Sequence, residues 1–375
     1  MAVKIPAVYM RGGTSHGVFF DTRDLPTDVG DRERLLASVA GSPDPCAMST
    51  DCGAVRARIV LVGPSLRDDC DVDYLYGELG GDRQRIDWTA NCGNLAGAVG
   101  PYAVQQGLVT ATQGTTVVRI WQASLNRRLL AHVSVRDGEV LEDGMFLEDG
   151  SAFPAAEVRL DYLDETSPAI LPTGNVQDVL AVPGVGTITT TLLLAGAPSV
   201  FVRAVDIGLT GREQQDVFKR SAKLLASLEA VRTGGAELMG ASTGVRNAAR
   251  LLAETRVVWI AAPAGYKTSL GLDVPQASVD VLARVLSDGR MQQTFDSAGA
   301  ISMAAATALP GSLVAQVART LPGVGTRIGH ASGVLTVDAS VVRRANAWVM
   351  ERASMSRSAR FLMSGWLHVP AGRAI

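Results

Sequence analysis

The stretch TANCGNLAGAVGPYAV, residues 89–104, limits the folds open to this chain more than any other. Leu95, Ala98, Val99 and Tyr102 recur at helical spacing, Asn91 and Cys92 fit the cap region, and Gly107 fits the stop. The other faces carry Ala96, Gly97 and Gly100, so neighbouring backbone can close in from every side. A helix that is apolar all round has to be buried.

A second helix of this kind is AGAISMAAATAL, residues 298–309. Setting Leu108-Val109 against Leu313-Val314 lays one helix over the other at a separation of roughly 205 positions, with Asn91-Cys92 facing Asp296-Ser297. Two such helices in a chain rich in antiparallel-type strands predict an α+β protein. It has two pseudo-symmetric β-rich domains, each wrapped around one helix, with a site between the helix N-termini. The turn-rich segment LDYLDETSPAILPTGNV reads as a linker and puts the domains at residues 1–183 and 184–375, with the last strand able to pack back on the first domain.

Along the chain, MRGGTSHGVFF reads as a strand, a turn of Gly12, Gly13, Thr14 and Ser15, and a return strand. Such a turn can be a nest of N–H groups that grips an anion beside the Arg11 fork, or a tight hairpin that needs glycine for positive φ. ARIVLV reads as a buried strand, and CDVDYLY alternates Cys70, Val72, Tyr74 and Tyr76 on one face. TTVVRIW and AHVSVRDGEV are strands, with His132 read as a solvated strand residue. ITTTLLLAG and SVFVRAV form a hairpin, followed by a helix capped near Thr210 that carries Val217, Leu224, Leu225, Leu228 and Val231 and ends at Gly234-Gly235. RVVWIAAP, SGVLTVDA and MSGWLHVP are further strands, and His330 and His368 are assigned to structure.

Composition excludes several function classes. With a formal net charge of -2, aromatic residues at 5% and four lysines, nucleic acid is not an expected partner. The amino terminus has no basic segment followed by an apolar one, and no long uncharged apolar run occurs, so no membrane association and a cytoplasmic location are expected. The four cysteines, at 46, 52, 70 and 92, form no CxxC pair, which points to free thiols and no metal site. No Walker run and no GxGxxG after a strand occurs.

Cys92 is the residue with chemical promise. A thiol at a helix N-terminus sits at the positive end of the dipole among unpaired N–H groups, which favours the thiolate. The competing reading is an inert buried thiol, since free Cys is among the most buried residue types.

Five motifs, MRGGTSHGVFF, NCGN at 91–94, LPTGN at 171–175, GAPSVFVRAVDIGLTG at 196–211 and IGHASGVLTVDA at 328–339, together resemble the PrpF family across almost the whole chain. The resemblance implies a diaminopimelate epimerase-like fold with the active site between two domains. It also implies cofactor-independent isomerases and tautomerases that move a proton and a double bond in unsaturated di- and tricarboxylic acids of the aconitate, itaconate and oxalomesaconate type. A small-molecule polycarboxylate is then the partner, and a homodimer is compatible with it. By the same resemblance Cys92 matches the catalytic cysteine, and Asn91, Gly93 and Asn94 match its surroundings. Arg11, Gly12, Gly13, Thr14 and Ser15 match a substrate-carboxylate turn, and Ser297 faces Cys92 in the internal repeat.

The match also departs from the family. The family lysine that acts as second acid/base aligns with Arg58, which can anchor an anion but makes a poor base. His16 stands where lysine is more frequent, and Gln292-Gln293 replaces a His-basic pair. Either His16 supplies the second proton-transfer group, or Cys92 makes both transfers with Arg58 as clamp, or the chain keeps only a carboxylate-binding cleft. A racemase of the two-thiol kind ranks below these, because no cysteine follows Cys92.

Overall fold

The structure, a computed structural model, describes residues 3–40, 58–79, 85–89, 91–148, 151, 153–163, 169–243, 248–320 and 324–369. The loop holding Cys46 and Cys52, with Ala57, lies outside these residues. The chain divides into two compact units, Met1–Tyr162 with Ser356–Ile375, and Leu163–Met355.

The first unit contains β1 (Val3–Gly12), β2 (Ser15–Asp21), α1 (Val29–Ala40), β3 (Arg58–Pro64), β4 (Val72–Leu79), β5 (Ile86–Asp87), α2 (Gly93–Gln105), β6 (Gly114–Gln122), β7 (Arg127–Arg136), β8 (Glu139–Val140) and β9 (Glu157–Leu163). The second contains β10 (Asp178–Val182), β11 (Gly186–Ala195), β12 (Ala197–Arg203), α3 (Gln215–Lys219), α4 (Ala222–Thr243), α5 (Ala248–Glu254), β13 (Arg256–Ala261), β14 (Tyr266–Lys267) and β15 (Asp273–Val274). It continues through β16 (Val281–Ser287), β17 (Arg290–Gln292), α6 (Ser297–Ala308), α7 (Leu313–Val317), β18 (Thr326–His330) and β19 (Gly333–Arg344). The closing strand β20 (Ala347–Val369) begins in the second unit and ends in the first.

In the first unit β1 pairs antiparallel with β2, β2 parallel with β3, β3 antiparallel with β4, β4 parallel with β6, and β6 antiparallel with β7. Pairings of β7 with β9, β9 with β20 and β20 with β1 return to the start and close the sheet around α2. Leu95 through Val104 are all buried, as an all-round apolar helix requires. The outer faces of β2 and β3 (Phe20, Ile59, Leu61) pack under α1 through Leu35 and Leu36. Pro101 sits inside α2 without ending it, and the helix stops at the Gln106 cap, followed by Gly107 at φ +67°.

The second unit repeats the sequence of pairings: β11 antiparallel to β12, β12 parallel to β13, β13 antiparallel to β16, β16 parallel to β18, and β18 antiparallel to β19. The short β5 and β17 pair antiparallel with β4 and β16 respectively, and α2 and α6 follow them at the same place in each order. In both units a glycine of the first hairpin presses on the first turn of the central helix. A Cβ on Gly12 would lie 2.6 Å from the Asn94 carbonyl oxygen, and one on Gly196 2.3 Å from that of Ala298. These contacts, and the caps Cys92 and Asp296, shift the internal repeat by one residue, so that Asp296 rather than Ser297 is the counterpart of Cys92.

Three local expectations need correction. Residues 157–163 form β9 because Val158, Leu160 and Tyr162 alternate into the core. Residues 178–182 form β10, which pairs with β11 and so lies in the second unit. The helix α4 runs through Gly234-Gly235, since Gly235 lets it approach Val200, where a Cβ would meet Cγ2 at 2.3 Å. Among the described residues no helix is long and apolar enough to cross a membrane.

Candidate functional site

Cys92 is the N-cap of α2, with φ -132° and ψ 93°, and its side chain makes no capping bond. A helix N-terminus leaves N–H groups outside its own ladder, and here the cap residue satisfies none of them with its side chain. The thiol is half-buried, whereas the other described cysteine, Cys70, is buried. Burial pushes the Cys70 thiol up, with the Asp69 charge acting in the same direction.

Residues flanking Cys92 are held from several strands. Asn91 accepts a 2.8 Å bond from the Gln122 amide of β6. Asn94 donates to the Thr14 hydroxyl at 3.1 Å and the Ser15 hydroxyl at 3.4 Å, tying the first turn of α2 to the hairpin. The turn is two residues, Gly13-Thr14, with Gly13 at φ +55° and Gly12 opposite Ser15. That conformation favours glycine, and Gly12 leaves space for the Asn94 backbone. The hairpin reading of the GGTS turn has this geometry, and the Gly13 N–H is taken up by the Ser358 carbonyl.

Alternation along the strands decides which predicted residues face α2. Ser15 and Gly17 of β2 point inward, where a Cβ on Gly17 would meet Leu95. His16 is therefore on the outer face, exposed, with its ring stacked on Tyr9 at 6.0 Å. Arg11 is the cross-strand partner of His16 and shares that face. Its guanidinium donates to the Gly13 carbonyl at 2.7 Å and the Ser358 hydroxyl at 2.8 Å. Ser358 also accepts the Gly13 N–H at 2.8 Å and is anchored through its own N–H and hydroxyl on buried Glu148, each at 2.8 Å.

Arg58 belongs to the inner set. It lies in register with Glu78, two residues before Val60 and four before Val62, both fully buried against the helix side. Its Nε is 3.7 Å from Glu78 Oε1, and that nitrogen has no hydrogen-bond partner among the described residues. Tyr76 donates its hydroxyl to Glu78 Oε1, and Tyr74 donates to the Cys92 carbonyl at 3.3 Å. A ladder of inner-face side chains, Tyr74, Tyr76, Glu78 and Arg58, thus leads from the backbone of Cys92 to the guanidinium. Burial pushes both phenols up; for Tyr76 the Glu78 bond and the Cys92 charge add to this while Arg58 opposes it, so both remain neutral donors. Tyr76 and Glu78 were absent from the sequence-derived site, although the alternation through Tyr74 and Tyr76 extends directly to Glu78.

In the second unit Ser297 is buried, one residue inside α6. The cap itself is Asp296, which accepts the Gly299 N–H at 2.8 Å and forms a two-pronged pair with Arg256. The two central helices therefore differ at their caps: a thiol without a capping bond in one, a carboxylate closing the turn in the other. The LPTGN motif is a self-contained turn, with Asp178 accepting from Thr173 at 2.8 Å and Asn175 at 3.0 Å and Gly174 at φ +79°. Gln292 closes the β16–β17 hairpin onto the Ser287 carbonyl, and the Gln293 carbonyl lies 3.2 Å from His330 Nδ1. His132 is not simply solvated; its Nε2 lies 2.8 Å from the buried Asp161 carboxylate.

Residues 2–370 match the profile of the family described as PrpF protein. A 2-methyl-aconitate isomerase of Cupriavidus necator is 42% identical over 386 residues, covering 98% of each chain. A 3-methylitaconate isomerase of Eubacterium barkeri is 32% identical over 381 residues, covering 100% of this chain and 99% of its own. The crystal structure of a methylitaconate-delta-isomerase superposes with a TM-score of 0.88 at 30% identity, covering 100% of this chain and 97% of its own. A probable proline racemase of Agrobacterium radiobacter K84 shares the fold with a TM-score of 0.50 at 15% identity, covering 98% and 93%. The chain belongs to the PrpF family, whose named relatives are isomerases, and has the diaminopimelate epimerase-like fold.

Proposed function

We propose that this isomerase moves an allylic proton, and with it the double bond, in an unsaturated di- or tricarboxylic acid of the aconitate or itaconate type. The observation that carries the reading is Cys92 at the cap of α2 with no capping bond, half-buried, its carbonyl at the start of the inner-face ladder of Tyr74, Tyr76 and Glu78 that ends at Arg58. In this reaction the Cys92 thiolate takes the proton from the carbon next to a carboxylate. The C–H electron pair enters the conjugated system as a dienolate, and the thiol, whose S–H exchanges with solvent at the half-buried sulfur, delivers a proton to the far carbon of the allyl unit. Charge grows on the carboxylate oxygens as the proton leaves, so donors fixed around them lower the barrier. Arg58 acts as that electrostatic clamp, since guanidinium stays protonated and serves poorly as a base.

Asn91, Gly93, Asn94 and the inner side of the Gly12–Ser15 turn then line the carboxylate-binding surface. His16 and Arg11 carry no proton in this scheme; the first is exposed on the outer strand face and the second braces the turn. The wider reading includes a cytoplasmic location and no nucleic-acid partner, in keeping with the net charge of -2.

The test is incubation of the whole protein in deuterated water with 2-methyl-aconitate or 3-methylitaconate, followed by proton NMR. Migration of the double bond with exchange at the allylic carbon is expected for one of these acids. Absence of migration and exchange with both would remove the reading.

A further inference from the structure

Arg58, which the resemblance sets at the position of the family lysine, is accompanied by a carboxylate. Glu78 lies directly across β3 and β4 from it, with Oε1 3.7 Å from Arg58 Nε. That spacing is beyond a hydrogen bond, so Nε and the carboxylate couple through charge. Glu78 is itself fixed, because fully buried Tyr76 donates to the same oxygen from two residues earlier on the inner face of β4. The side chains of Arg58 and Glu78 are 38% and 22% exposed, which leaves both at an accessible edge of the inner face.

A ligand approaching Arg58 therefore meets an ion pair and not a bare cation. Each carboxylate that docks on Arg58 is attracted by the guanidinium, and every further carboxylate nearby is repelled by Glu78. At the effective dielectric of a protein surface, charges about 4 Å apart interact by several times the thermal energy, so one extra anionic group is felt. Arg11 is directed at a carbonyl and a hydroxyl on the outer face and does not compensate.

We propose that Glu78, held by Tyr76, is a specificity-determining residue that tempers the charge of Arg58 and turns the enzyme toward substrates with two carboxylates over those with three. This rests on the isomerase reading above only in taking Arg58 as the carboxylate anchor. It does not depend on which group moves the proton.

Calorimetric binding of 3-methylitaconate, a dicarboxylate, and 2-methyl-aconitate, a tricarboxylate, tests it with wild type, Glu78→Gln and the double variant Arg58→Gln/Glu78→Gln. Binding is read at equilibrium and not as a rate, so a failed proton-transfer mechanism does not remove the signal. Wild type is expected to bind the dicarboxylate more tightly. Glu78→Gln should tighten the tricarboxylate by about tenfold or more and the dicarboxylate by less than about threefold, and removing Arg58 as well should erase the gain. kcat/KM for the two acids should shift in the same ratio. Equal changes for both acids, no change for either, or a gain that survives loss of Arg58 would each overturn the proposal. Tyr76→Phe supplies a second variant if Glu78→Gln does not fold: it unlocks Glu78, and an unaltered ratio of the two affinities would count against the proposal.

Discussion

Cys92 and Asp296 occupy equivalent caps and do opposite things. Asp296 closes its helix by accepting the Gly299 N–H, while the Cys92 side chain caps nothing. The lone thiol could be picked out from NCGN and the small-residue run behind it. Its partners could not, because Glu78 meets Arg58 only through the β3–β4 register, which depends on which strands pair. The surroundings of Arg11 were hidden for the same reason: Ser358, which accepts from it, comes from the other end of the chain. Glu213 was likewise invisible in the sequence. It accepts from the Thr210 N–H and hydroxyl, the Gly211 N–H and the Trp259 indole, holding the IGLTG loop to the core of the second unit. Burial pushes its carboxyl up, but the Thr210 and Trp259 bonds and backbone donors outweigh this and hold it below the usual range. With the folded pKa below the unfolded one, the stabilisation is complete above the unfolded value and is lost as pH falls through the folded one. Glu213→Gln is expected to lose about 1.5–3 kcal/mol of stability at neutral pH. In urea denaturation the gap to wild type should narrow as the pH falls below the ordinary glutamate value of 4.5; a gap independent of pH would contradict this.

Among the elements, the first hairpin seats the cap of α2. Its strands and turn were legible from Gly12-Gly13 between alternating runs, and both central helices from their small-residue composition. What composition misled was α4, where Gly234-Gly235 reads as a stop although Val200 packs against Gly235. Tertiary contact overrode the local signal, as it did for β9, whose buried alternation was hidden beside turn residues. The hairpin seat makes a direct prediction. Gly12→Ala places a Cβ 2.6 Å from a backbone oxygen and 3.0 Å from the Leu95 Cα, neither of which can swing away. A cost of about 1–3 kcal/mol is expected in thermal or urea unfolding, with kcat falling more than that loss of stability explains because the Cys92 cap moves with the turn. An unchanged kcat in folded Gly12→Ala would show that the hairpin does not set the cap.

At the scale of the whole molecule, the same order of antiparallel and parallel pairings is used in both units, each around one buried helix. The two helices revealed this duplication in the sequence; the one-residue shift that pairs Cys92 with Asp296 needed the caps and the glycine contacts. The duplicated fold carries a thiol at one cap and an Arg-bound carboxylate at the other, and the proposed proton shift is assigned to that one thiol. The measurement that bears on this most directly is solvent deuterium exchange at the allylic carbon by Cys92→Ser, with circular dichroism to verify that the variant is folded. Exchange and double-bond migration are expected to fall together by at least about a hundredfold. Exchange at the wild-type rate in folded Cys92→Ser would contradict the assignment of proton transfer to Cys92.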